Sequence, residues 1–173
     1  MRSVPGSPLV RLALLVACGA AFVWLTASSL PSVVASHFGV AGDANGFMPR
    51  GLYLRFTLGF VVGLPALLTI GSHLAIGSPR ARINLPNREY WLAPERRNET
   101  VSYLRAHMAR FGAVLLVFLC YVHWLVVRAN ETQPPRLSNP AMLGGLAAFI
   151  VFALVWSRSF LRRFRNQPTG QSV

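Results

Sequence analysis

Four histidines, five carboxylates and two cysteines are all that this chain of 173 residues offers for acid–base, nucleophilic or metal chemistry. His37 and Asp43 share a glycine-rich stretch, and His123 and Glu131 follow much later. Imidazole and carboxylate suit zinc or copper, and all four residues are expected on one side of a membrane. Their spacing matches no metal-ligand pattern, so neither a metal nor another cofactor is expected, with His37 and His123 the nearest approach to ligands. Ser72 and His73 are adjacent, and neighbouring helical side chains point about 100° apart, so they form no dyad. GxSxG, HExxH and phosphate-cradling glycine loops are missing. Cys18 and Cys120 lie inside apolar runs as small packing residues. The residue types predict a protein that is not an enzyme.

The elements that must hold these residues are apolar. The chain is 53% hydrophobic and 13% charged, with a mean hydropathy of +0.45. Soluble domains carry about a quarter charged residues. Four runs approach or exceed the ~20 residues that cross a hydrocarbon core. The expected fold is all-α, a single integral membrane bundle of four transmembrane helices over 1–173. The spans are placed at about 12–30, 52–76, 101–127 (with an extension outside the lipid) and 141–157. An external ordered loop at 31–50, a cytosolic loop at 77–100, an external connector at 128–140 and a basic tail at 158–173 separate and follow them.

Charge orients the bundle. All seventeen basic residues are arginine and the net charge is +12. No nucleic-acid-reading motif accompanies that charge. Arg50, Arg55, Arg128 and Arg136 fall on one side of the predicted spans and the other thirteen arginines on the opposite side. Arginine-rich loops stay in the cytosol, so both termini are expected inside and residues 30–50 outside. Arg158, Arg162, Arg163 and Arg165 interleave with Phe160, Leu161 and Phe164, a pattern suited to binding anionic headgroups. Residues 166–173 are expected to be disordered.

Local signals refine the spans. Pro65 removes a backbone hydrogen bond inside the second helix, predicting tilt or a kink. Gly59, Gly63 and Gly71 predict close helix–helix contact. Pro94 suits the first position of a helix with Glu95 in its first turn. Val101, Leu104, Met108, Phe111, Leu115 and Phe118 predict one apolar seam. Tyr121, His123 and Trp124 read as an interfacial girdle. Asn98-Glu99-Thr100 and Asn130-Glu131-Thr132 match the glycosylation sequon, with only the second expected outside.

Two loops carry the recognition candidates. In the external stretch they are His37, Phe38, Gly42, Asp43, Asn45 and Gly46, with Pro31 stopping the first helix and Asn45–Gly46 read as a turn. In the cytosolic loop they are Asn84, Pro86, Asn87, Glu89, Tyr90, Trp91 and Glu95, with Glu89 and Glu95 expected in surface ion pairs.

Leu30-Pro31, Val34, His37-Phe38-Gly39, Gly42 and Ala44-Asn45-Gly46 resemble the signature of a small bacterial membrane domain of unknown function. That domain heads the SdpI-like immunity and signalling proteins. The cytosolic wording INLPNREYWLAPERR is similar to that of stand-alone relatives of the domain. The resemblance implies a multi-pass protein of the bacterial cytoplasmic (inner) membrane with no known enzyme activity. It also implies immunity against, or sensing of, an extracellular peptide. Composition leaves two other readings open: an accessory or scaffold subunit with a membrane-protein partner, and a metal-dependent membrane enzyme using His37.

Overall fold

A computed structural model describes residues 8–78 and 83–165; Arg80, Arg82 and the tail at 166–173 lie outside them. The elements are α1 (Pro8–Ala27), β1 (Val33–Phe38), β2 (Ala44–Pro49), α2 (Arg50–Gly77), α3 (Arg88–Trp91), α4 (Pro94–Asn130) and α5 (Asn139–Arg165). Among the described residues, α1, α2, α4 and α5 are long and apolar enough to cross a membrane, and the protein is a multi-pass membrane protein. The 37 residues of α4 measure about 55 Å, against about 30 Å of hydrocarbon. This helix therefore extends well beyond the lipid core.

The all-α expectation needs one correction. Residues 33–49 form an antiparallel hairpin, with Val33 opposite Pro49, Val34 opposite Met48 and Ala35 opposite Phe47. Val34 and Ala35 are buried, which anchors one strand to the bundle and fixes its register. Asn45–Gly46 is not the turn. It lies within β2, where Gly46 pairs with His37 at an irregularity in the ladder. A Cβ on Gly46 would lie 2.8 Å from the Cβ of His37, so only glycine passes beneath that side chain. The chain reverses at residues 39–43, where the Gly39 amide donates to the Asp43 carbonyl at 2.9 Å. Gly42 there adopts a φ of +86°, a conformation that favours glycine.

Helix ends also move. The first helix stops at Ala27, short of the predicted 30, and residues 28–30 turn. The Arg50 guanidinium donates to the carbonyls of Ser28 (3.2 Å) and Leu30 (3.0 Å), satisfying acceptors that the helix end leaves free. Helix α4 begins at Pro94 as expected and runs to Asn130, and α5 continues through Arg165. The basic segment up to Arg165 is thus the last turns of α5.

In α2 the expected disturbance is a π-helical turn at Gly59–Gly63, immediately before Pro65. The proline ring excludes the ordinary bond to the carbonyl four residues back, and the wider turn takes up the mismatch. The predicted glycine contacts do not occur: nothing lies within 4 Å of a Cβ added at Gly59, Gly63 or Gly71. Close approach uses other glycines. Gly19 of α1 faces Leu116, Gly112 of α4 faces Thr69, and Gly145 of α5 faces Tyr121.

Helix α4 contributes to all three core clusters. Near the hairpin Val127 meets Ala27, Leu30, Val34 and Tyr53. In the middle Leu116 and Leu119 meet Val23 and Val61. At the far end Leu104 meets Leu85 and Phe164. The predicted seam is buried only at Val101 and Leu104. Phe111 and Phe118 turn instead to stack on Phe149, Phe152 and Trp156 of α5. The buried line moves to His107, Gly112, Leu116, Leu119 and His123, because a straight helix drifts from a 3.5-residue seam.

Candidate functional site

The hairpin is fastened to the bundle by Asn130, the last residue of α4. Its Oδ1 accepts the Ala35 amide at 2.8 Å, and its Nδ2 donates to the Ala35 carbonyl at 2.9 Å and to the Val126 carbonyl at 2.9 Å. A side-chain amide thus substitutes for a neighbouring strand at the edge of β1. Asn130 is also buried, and both ends of its amide are engaged, which leaves no accessible acceptor in the Asn130 sequon.

The predicted recognition residues cluster at the hairpin tip, and their polar groups are engaged within the protein. Nδ1 of His37 lies 2.5 Å from Oδ1 of Asn45. The Gly42 carbonyl accepts the Leu137 amide at 2.8 Å, and Asn139 Nδ2 donates to the Val40 carbonyl at 2.7 Å. Asp43 pairs at 3.7 Å with Arg136, both side chains being exposed. Phe38 is half-buried and Gly46 lies beneath His37. The tip is therefore stitched to the connector between α4 and α5.

A groove of about 210 Å³ lies on the underside of this hairpin. Ser36 and Met48 form its roof, Tyr53, Phe56 and Phe60 of α2 one wall, and Val122 and His123 of α4 another. Phe56 and Phe60 stack in parallel at 6.0 Å and are both exposed. The π-turn contributes Phe60 and Val61, linking the Pro65 mismatch to the shape of the wall.

The polar feature of this groove was missed in the sequence. Its sequence neighbours suggest an interfacial girdle for His123, but it is only 2% exposed and sits where three helices meet. Thr26 donates its hydroxyl proton to the Phe22 carbonyl at 2.7 Å. Thr26 Oγ1 must then accept from His123 Nε2, 2.8 Å away. That leaves Nδ1 as an acceptor for the Tyr53 hydroxyl, also at 2.8 Å. The chain assigns the neutral Nε2–H tautomer and joins α2, α4 and α1. The remaining girdle residues divide: Tyr121 donates to the Ala141 carbonyl at 2.7 Å, while Trp124 is exposed. Isolated polar residues at 26, 53 and 123 in apolar runs were the available signal.

The far-end candidates also separate by role. Asn87, in the left-handed region at a φ of 52°, donates from Nδ2 to the carbonyls of Phe164 (3.0 Å) and Arg165 (3.1 Å). Trp91 Nε1 donates to the Phe164 carbonyl at 3.1 Å. These two residues close the C-terminus of α5. Tyr90 carries the Arg96 guanidinium 4.2 Å above its ring. Asn84, Glu89 and Glu95 are exposed and Pro86 is half-buried. Among the described residues neither Glu89 nor Glu95 forms an ion pair; Glu99 does, with Arg163 at 2.9 Å. Arg163 also lies 4.1 Å over the Tyr103 ring. It is thus engaged within the protein, whereas Arg158, Arg162 and Arg165 are exposed.

His37, Asp43, His123 and Glu131 do not gather at one point. Among the described residues no group of three or more His, Cys, Asp or Glu side chains lies close enough to share a metal. His37 is on the exposed hairpin and His123 within the bundle. His107, near the far end, is buried and stacks on Trp156 at 4.3 Å, with no partner for either ring nitrogen among the described residues.

Residues 13–69 match the family described as a domain of unknown function, DUF1648. The matched segment runs from α1 through the hairpin into α2, and so contains the Leu30–Gly46 signature, Thr26 and Tyr53. No curated protein and no solved structure matches the chain.

Proposed function

We propose that this is a non-enzymatic protein of the bacterial cytoplasmic membrane that recognises an extracellular amphipathic peptide through its hairpin and the groove beneath it. The observation that carries this reading is the groove itself. It is an apolar recess about the size of a few side chains, open at the exposed Phe56–Phe60 pair and backed by one polar chain. Ligand sites are commonly apolar recesses with few polar groups. The hairpin roof gives the site a water-facing rim, as an amphipathic ligand needs.

Orientation rests on charge. The hairpin end holds four of the seventeen arginines, which favours an external hairpin and cytosolic termini. A cysteine at Val40, fully exposed at the tip, would then react with a membrane-impermeant maleimide in intact cells. Labelling only after lysis would reverse the orientation. Immunity or sensing is tested by deleting the gene and challenging the cells with a panel of membrane-active peptides. Restored protein should protect and a Val122→Trp protein, its groove filled, should not. Unchanged sensitivity across the panel in the deletion strain would sink the immunity reading.

A second reading, an accessory or scaffold subunit, draws on α5. None of the residues in its most apolar 18-residue window is buried, and Leu143, Ile150 and Leu154 point away from the bundle. Cross-linking in native membranes that yields only the monomer would remove this reading.

A further inference from the structure

At the far end of α1 the bundle has a second groove, separate from the one beneath the hairpin. Gly19 lets α1 and α4 close together: a Cβ there would sit 3.2 Å from Leu116. Towards the start of α1 the contact is not filled. A groove of about 280 Å³ remains, lined by Arg11, Leu12 and Leu15 of α1 and by Ala106, Ala109, Arg110 and Ala113 of α4. The spacing explains the shape. Arg11 and Leu15 are four apart, one above the other on α1, and 106, 109, 110 and 113 share one face of α4. Three alanines on that face leave a smooth wall where larger side chains would have closed the gap.

Charge stands at the mouth of this groove. Arg11 and Arg110 are exposed, and among the described residues neither takes part in an ion pair. Arg163 at the same end shows the contrast, being held by Glu99 and Tyr103. Two exposed arginines that line one apolar slot of a membrane protein, neither in an ion pair among the described residues, complement one kind of molecule: a lipid with an anionic headgroup and an acyl chain.

We propose that the Arg11–Arg110 groove is a binding site for an anionic phospholipid. The phosphate is held between the two guanidiniums, and an acyl chain lies along Ala106, Ala109 and Ala113. This site differs from the diffuse attraction proposed for Arg158, Arg162 and Arg165 in that its two charges line an apolar groove. It does not depend on what the hairpin recognises.

The experiment is native mass spectrometry of the purified full-length protein, titrated with phosphatidylglycerol or phosphatidylcholine. The wild type should retain phosphatidylglycerol selectively. Each arginine near a headgroup contributes about five-fold in affinity, so Arg11→Gln with Arg110→Gln should lose roughly 25-fold for phosphatidylglycerol and leave phosphatidylcholine unchanged. Arg158→Gln with Arg162→Gln should lose little. Ala109→Trp, which keeps both charges and blocks the slot, should also release the lipid, and it serves if the double arginine variant fails to fold. Unchanged retention in the Ala109→Trp protein would overturn the proposal. So would equal losses in the two double arginine variants, which would indicate diffuse charge. Displacement by inorganic phosphate with both lipids held equally would overturn it in favour of a free-phosphate site.

Discussion

The Tyr53 hydroxyl donates to Nδ1 of His123 across 2.8 Å, inside the bundle where His123 is 2% exposed. Removing one partner of a buried pair strands the other, and polar contacts between membrane helices contribute about 0.6 kcal/mol on average and up to about 1.7. Tyr53→Phe should therefore lower stability by about 1 kcal/mol. His123→Ala, which strands both Tyr53 and Thr26 and opens a cavity, should cost about 2–4 kcal/mol. Denaturant unfolding in mixed micelles measures both. Equal, negligible losses would mean that the three-helix chain does not form.

Asn130 grips both backbone groups of Ala35. In Asn130→Asp the donor to the Ala35 and Val126 carbonyls is replaced by an acceptor facing acceptors. The expected result is faster amide hydrogen exchange through Val33–Phe38, with α4 still protected. Exchange rates indistinguishable from wild type would show that burial of Val34 alone holds the hairpin down.

Gly42 combines a φ of +86° with a close neighbour, since an added Cβ would lie 2.5 Å from the Leu137 carbonyl oxygen. Gly42→Ala should cost about 1–3 kcal/mol and loosen the tip from the connector. Protease sensitivity at residues 39–43, compared with Gly39→Ala, measures it; the Gly39 site has an ordinary φ and its nearest neighbour is at 3.4 Å. Equal sensitivity of the two variants would contradict the strain argument.

Gly112 and Thr69 should be coupled. A methyl on Gly112 would collide with the Thr69 hydroxyl, which is buried without a partner among the described residues. Gly112→Ala alone should cost about 1–3 kcal/mol, and Thr69→Ala should be nearly neutral. The double variant should recover most of the loss. A double variant no better than Gly112→Ala would move the clash to the Pro65 carbonyl, 3.4 Å from the same methyl.

Much of the architecture was legible because lipid enforces simple rules. Apolar runs long enough to span and prolines at helix starts depend on local composition, and α4 begins at Pro94 as that logic requires. What escaped depends on partners distant in sequence. The point of chain reversal was hidden because Asn45–Gly46 has the local signature of a turn, whereas Gly46 lies within β2 and passes under His37. Gly59, Gly63 and Gly71 look like a packing stripe, but packing chose Gly19, Gly112 and Gly145 on other helices. His123 sits beside Tyr121 and Trp124 in sequence, and only the positions of Thr26 and Tyr53 reveal it as buried. The candidates at the hairpin tip adjoin one another in sequence, while the groove beneath them unites residues from 36 to 126 that share no local motif.

If the groove beneath the hairpin receives an amphipathic peptide, the two can be joined covalently where they touch. Photo-crosslinking makes that join. Benzoylphenylalanine replaces Phe60 at the groove mouth in one protein and Leu154, exposed on α5, in another. Membranes containing each are irradiated with a labelled peptide to which the deletion strain is hypersensitive. A peptide adduct is expected from position 60, lost when Val122→Trp is added, and none from position 154. Equal adducts from both positions, or an adduct at 60 that persists in the Val122→Trp background, would contradict it.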